Sequence, residues 1–240
     1  MDERGADQEV ARVREAYLRR DASDSRYSWF NPAHRYTLLQ LERELLEALN
    51  RHGVHAVAGR RILEIGCGAG YWLRQVVQWG ASPELVVGID LVRDRLAQAR
   101  RSTASATGLA LASATRLPFG DGVFDLVLQA TVFTSMLDDE IRRAAAAEMC
   151  RVLAPGGLIL WYDYFRDNPR NRDVRAVTGR DLLALFPGAV VERRRVTLAP
   201  PIARLLASRS WLACYLLERL PMFRTHYVAV IRDAHSLSGQ

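Results

Sequence analysis

The sequence predicts an α/β fold of the doubly wound kind, with helices covering both faces of a mostly parallel sheet. Two observations carry this. From residue 61 onward, short and almost wholly apolar runs alternate with amphipathic stretches, the pattern of buried parallel strands joined by crossover helices. The first such run, Ile62-Leu63-Glu64-Ile65, passes directly into Gly66-Cys67-Gly68-Ala69-Gly70, a turn of the type that brings backbone close to a ligand at the carboxyl edge of an open sheet. The 240 residues, 49% apolar, suffice for one sizeable core and are too few for two catalytic domains.

Residues 1–59 read as an N-terminal helical extension. Residues 7–20 are charged and helical in pattern, residues 21–31 are polar with aromatics, and residues 32–51 carry Leu38, Leu41, Leu45, Leu46 and Leu49 on one helical face. Residues 60–240 read as the α/β domain. Strands are expected at 61–66, 85–90, 110–113, 124–129 and 158–163, with helices at 71–79, 93–101 and 138–153. The last third departs from this rhythm: strands at 190–198 and 226–232 enclose 27 residues that read as mainly apolar helix.

Composition narrows the function. Net charge is +6, yet all 33 basic residues are arginine and they are spread along the chain, whereas nucleic-acid binders cluster their basic residues. No nucleic-acid partner is expected. No apolar run reaches the ~18 to 20 residues of a membrane span, the charged N-terminus lacks the apolar segment of a secretory signal, and three cysteines without CxxC spacing form neither a disulfide framework nor a zinc site. A soluble, cytoplasmic protein without a metal is the expectation.

The glycine turn departs from the dinucleotide fingerprint, because its third glycine follows the first by four residues rather than five and Glu64 stands at its entrance. A carboxylate there repels a pyrophosphate and welcomes an ammonium. Twenty residues beyond Gly70, Asp90 ends the run Val86-Val87-Gly88-Ile89-Asp90, where a carboxylate accepts both hydroxyls of a ribose. Ribose plus ammonium, without phosphate, describes S-adenosylmethionine.

With these motifs, and with residues 115–127 and 148–157 at the spacing of its later landmarks, the stretch from Arg60 to Leu160 resembles the class I S-adenosylmethionine-dependent methyltransferases. The wider chain resembles bacterial small-molecule methyltransferases of the type 11 kind. The resemblance implies a Rossmann-like seven-stranded sheet whose seventh strand is antiparallel. It further implies that Glu64, Gly66, Cys67, Gly68 and Gly70 hold the methionine part of the cofactor, Asp90 the ribose and Leu91 one adenine face. Ser113 and Ala114 stand where the family has Asp-Ala against the adenine amine. Gln129 and Phe133 would border the methyl group.

Methyl transfer from a sulfonium is an in-line displacement that needs positioning and at most a base. Asp163, ending the fifth long strand, and His226, before the last, are the catalytic candidates, each with a structural alternative in capping or hydrogen bonding. Tyr162, Asn168, Asn171 and Arg172 are substrate-binding candidates, the last three because amides and guanidinia in one loop bind hydroxyls, carboxylates or phosphates. The implied reaction is methylation of oxygen or nitrogen on a small polar metabolite, such as a sugar or glycan intermediate. A non-catalytic cofactor-binding scaffold and an RNA methyltransferase are the rival readings. The insertion at residues 199–224 is expected to form a lid, with a dimer interface second and a peripheral membrane contact third; the chain would then be a monomer or a homodimer.

Overall fold

The computed structural model describes residues 9, 11–16, 25–167 and 171–233. Seven strands form one sheet in the order β3-β2-β1-β4-β5-β7-β6. They are β1 (Ile62–Ile65), β2 (Val86–Asp90), β3 (Gly108–Leu111), β4 (Phe124–Ala130), β5 (Leu153–Tyr164), β6 (Ala189–Leu198) and β7 (Arg224–Asp233). All run parallel except β7, which pairs antiparallel with both β5 and β6. The winding reverses between β1 and β4, and open α/β sheets bind ligands in the crevice at that switch point.

Helix α1 (Pro32–Arg51) begins where Asn31 accepts hydrogen bonds from the Ala33 and His34 amides and Pro32 occupies the first turn, a strong start signal. Its Leu41, Leu45 and Leu49 are buried in one cluster with Leu128, Leu160 and Val228 of the sheet, so the extension shares the core of the α/β unit. Helices α2 (Tyr71–Gln78) and α3 (Arg93–Ser102) lie on this face as well. The other face is covered by α4 (Asp139–Val152) and α5 (Gly179–Leu185), which bury Ile141, Ala145, Met149 and Leu182 against Leu63, Val127, Ile159 and Ala229. Helix α5 has no counterpart in the sequence reading, and β3 lies two residues earlier than expected.

The apolar insertion forms two helices, α6 (Pro200–Leu206) and α7 (Trp211–Glu218), the second capped by Ser210. Their inner sides pack Ala203, Ala207 and Cys214 on Ala33 and Tyr36 of α1. Within this contact the Glu218 carboxylate accepts from the Tyr36 hydroxyl at 2.6 Å and from the Thr197 amide at 3.1 Å. The expected lid is therefore docked on α1, and none of its residues lines the cleft described below.

Candidate active site

The turn between β1 and α2 is left-handed at Gly66, Gly68 and Gly70. A Cβ on Gly66 would lie 2.6 Å from Val132 Cγ2, so no side chain fits where β1 meets the segment after β4. The turn is tied to β2 through Asp90, whose carboxylate accepts from the Gly68 amide and the Val92 amide, both at 2.8 Å. Each carboxylate oxygen retains a second lone pair for a ligand. Cys67 lies beneath the turn with its thiol pushed up by burial.

Beside this turn opens a cleft whose walls include Ile65, Gly66, Asp90, Leu91, Ser113, Ala114, Val132 and Ile141. The Ser113 hydroxyl is 2.8 Å from Thr115 Oγ1 and accepts from the Thr115 amide at 3.2 Å. Glu64 lies under the turn, buried, and its Oε2 has no hydrogen-bond partner. Burial, reinforced by the charge of Asp90, holds its carboxyl well above the usual carboxylate range. A buried carboxyl in that condition gains most from a nearby cation.

The wall after β4 is built from backbone held by buried polar side chains. Thr131 adopts a φ of 60°, and its amide donates to the Tyr162 carbonyl at 2.8 Å. Gln129 is fully buried: its amide nitrogen donates to that same carbonyl and its oxygen accepts from Val132. Asp163 is also buried and accepts from Phe133, Thr134 and Tyr164 amides at 3.0 to 3.3 Å. Arg142 of α4 donates to the Phe133, Met136, Ala176 and Arg175 carbonyls. Together they fix residues 131–136, of which Val132, Ser135 and Met136 face the cleft.

Several expected roles change accordingly. Gln129 braces the turn instead of touching the cleft. Phe133 is core, its ring 4.2 Å from Trp161. Asp163 does not reach the surface as a base, because its oxygens are taken by backbone amides and burial raises its pKa to about 6. His226 sits at the expected end of β7 but is buried, stacked 4.7 Å from Tyr162 and 4.0 Å from Tyr164, and burial lowers its pKa to about 3. Tyr162 bonds Thr197 through its hydroxyl at 3.0 Å and lines no part of the cleft. Asn171 accepts from the Asp173 amide within its own turn, Arg172 is exposed on that loop, and Asn168 lies outside the described residues.

Two groups of residues near the cleft and the glycine turn were not singled out by the sequence reading. Glu9 and Val13 line the cleft from the N-terminal segment; Glu9 accepts from the Leu137 amide at 2.7 Å and Arg12 donates to the Ser135 carbonyl at 2.5 Å. An aromatic group flanks the glycine turn: Tyr71, which follows Gly70, meets Trp29 at 5.8 Å, and Trp29 and Tyr27 in turn contact His34. The Tyr71 hydroxyl is buried without a partner, and burial raises its pKa to about 12.

The residues present fit S-adenosylmethionine: Asp90 would offer spare carboxylate lone pairs to its ribose, Leu91 and Ala114 would wall its adenine, and Glu64, buried beneath the turn and outside the cleft lining, has an unpartnered oxygen that an ammonium would satisfy. Residues 62–157 match a family model described as a methyltransferase domain. A demethylmenaquinone methyltransferase of Thermus thermophilus is 39% identical over 111 residues, 45% of this chain and 48% of that protein. The chain spans about half the length of the curated relatives it matches. An S-adenosylmethionine-dependent methyltransferase from Mesorhizobium loti superposes with a TM-score of 0.56 at 21% identity, covering 78% of this chain and 96% of that one. The cyclase SpnF does so with a TM-score of 0.58 at 19% identity, covering 80% and 81%, so the fold by itself does not fix the chemistry. The family match thus identifies residues 62–157 as a methyltransferase domain, and the glycine turn and Asp90 within it fit S-adenosylmethionine as its cofactor.

Proposed function

We propose that the protein methylates a phenolic hydroxyl or an amine on a small acceptor with a flat body. The observation that carries this is the aromatic group of Trp29 and Tyr71 beside the glycine turn, a surface suited to stacking. Bound S-adenosylmethionine supplies an activated methyl group, which leaves the chain's residues the tasks of binding, orienting and excluding water. Glu64 and Asp90 hold the two ends of the cofactor's polar surface, while Arg142 and Asp163 keep the 131–136 wall in place. Neither expected base lines the cleft, so an acceptor that needs no base suits the site. A phenol, whose pKa near ~10 lies far below that of a sugar hydroxyl, and an amine already unprotonated both meet that condition. The sugar or glycan acceptor stands as the second reading, supported by the stacking capacity of the same rings.

The test is transfer of labelled methyl from S-adenosylmethionine to separate panels of phenols, amines and sugar nucleotides, read by mass spectrometry. Label is expected in phenols or amines, and Trp29→Ala should raise KM about tenfold with cofactor affinity retained. Asp90→Ala should weaken S-adenosylhomocysteine binding by about 1.5 to 3 kcal/mol, the scale of hydrogen bonds to a charged group. Label confined to sugars would overturn the acceptor reading, and unchanged affinity in a folded Asp90→Ala variant would remove the ribose assignment.

A further inference from the structure

The outer side of the α6–α7 insertion gathers several of the exposed large apolar side chains of the described surface. Leu205, Leu212, Leu216 and Met222 are each more than half exposed, and Trp211 and Leu220 are exposed beside them. Leu212 and Leu216 stand one turn apart on α7, opposite Cys214 and Glu218, which face α1. A soluble protein gains nothing by presenting such a group to water.

Charge identifies the occupant. Arg204, Arg209 and Arg219 are exposed among these side chains, bonded only to Pro200 and Leu205 carbonyls and to the Tyr215 hydroxyl. The single acid between residues 199 and 224, Glu218, is buried and occupied by Tyr36 and Thr197. The exposed charge of the segment is therefore purely cationic. Pairing this face with itself about a two-fold axis would bring the same arginines together with no acid of the segment to answer them. An apolar surface studded with arginine matches instead a bilayer of anionic lipids, whose acyl boundary accepts the leucines while its headgroups accept the guanidinia.

We propose that the α6–α7 face docks the protein peripherally on anionic membrane. The insertion joins β6 to β7 at the carboxyl edge of the sheet, the edge at which the cleft opens, so docking sets the site toward acceptors drawn from the lipid phase. This holds independently of which group is methylated.

Vesicle sedimentation of the whole protein tests it, using phosphatidylcholine vesicles with and without phosphatidylglycerol. Binding is expected on the mixed vesicles, weaker on neutral ones, and reduced by high salt. Leu212→Ser with Leu216→Ser should lower partitioning by at least about tenfold, on the scale of burying one leucine. Arg209→Glu with Arg219→Glu, which leaves the apolar contacts in place, should do likewise, with S-adenosylhomocysteine binding confirming that both variants are folded. Absence of binding to mixed vesicles, or binding unchanged by the arginine pair, overturns the proposal. So does a dimer in sedimentation velocity that the same variants dissociate, which would make the face an interface between copies.

Discussion

Burial of His226 between Tyr162 and Tyr164 lowers its pKa from 6.5 to about 3, and burial of Asp163 raises its pKa from 3.8 to about 6. The two act on stability with opposite sign. Between about pH 3 and 6.5 the unfolded chain binds a proton at His226 that the folded chain refuses, so this residue's contribution is lost as pH falls through that window. Between about pH 4 and 6 the folded chain keeps a proton on Asp163 that the unfolded chain has released, so its contribution is lost as pH rises. Each slope approaches about 1.4 kcal/mol per pH unit at most. His226→Phe, which preserves a ring between the two tyrosines, should therefore protect against acid: its melting temperature should fall less than that of the parent between pH 6.5 and 4, with parallel curves above pH 7. Asp163→Asn should steepen the acid loss. Calorimetry across pH 4 to 8 checks both, and a His226→Phe profile parallel to the parent throughout would contradict the burial of the imidazole.

The N-terminal segment behaves as an element of the site rather than an appendage, because Glu9 and Arg12 fasten it to backbone at Leu137 and Ser135 while Val13 faces the cleft. Removing residues 1–16 should speed S-adenosylhomocysteine release and weaken its binding about tenfold, equivalent to about 1.4 kcal/mol. Arg12→Ala should give part of that effect in stopped-flow release, and a truncated chain with unchanged release would assign the segment to packing alone. Its sequence concealed this role, since residues 7–20 read only as a charged helix. Helix α1 was legible over residues 32–51 through its leucine period, whereas α5 was not. Seven residues are too few for a period, and its one signal is the box in which Thr178 and Asp181 cap each other. The glycine turn after β1 and the place of Asp90 at the end of β2 were legible because both are set by local backbone. Gln129, Asp163 and His226 were misplaced because strand ends look exposed in sequence, while the 131–136 wall and the aromatic neighbours that bury them arrive from distant segments.

Across the whole molecule, the sheet is closed at one edge by the four-residue β3 and at the other by β6, whose exposed Glu192, Arg193, Arg194 and Arg195 discourage pairing with another chain. Beyond that edge, α1, the insertion and the sheet meet at Glu218. Its carboxylate takes a hydrogen bond from α1 through Tyr36 and one from β6 through Thr197, and Thr197 in turn bonds Tyr162 of β5. Thr197 has a φ of 63°, a conformation a non-glycine residue holds only when its surroundings impose it. Glu218→Ala should strand the buried Thr197 amide and Tyr36 hydroxyl at about 1 to 3 kcal/mol each, whereas Tyr36→Phe deletes donor and need together and should cost about 1 kcal/mol. Because both act on one hub, the double variant should be less destabilised than the sum in urea unfolding, by about 0.5 kcal/mol or more. Hydrogen exchange gives the sharper readout: in Glu218→Ala, α6 and α7 should lose protection well before β1 and β4, as a unit released from α1. Uniform loss across the sheet would mean instead that insertion and core unfold as one, with Glu218 a strut of the whole fold.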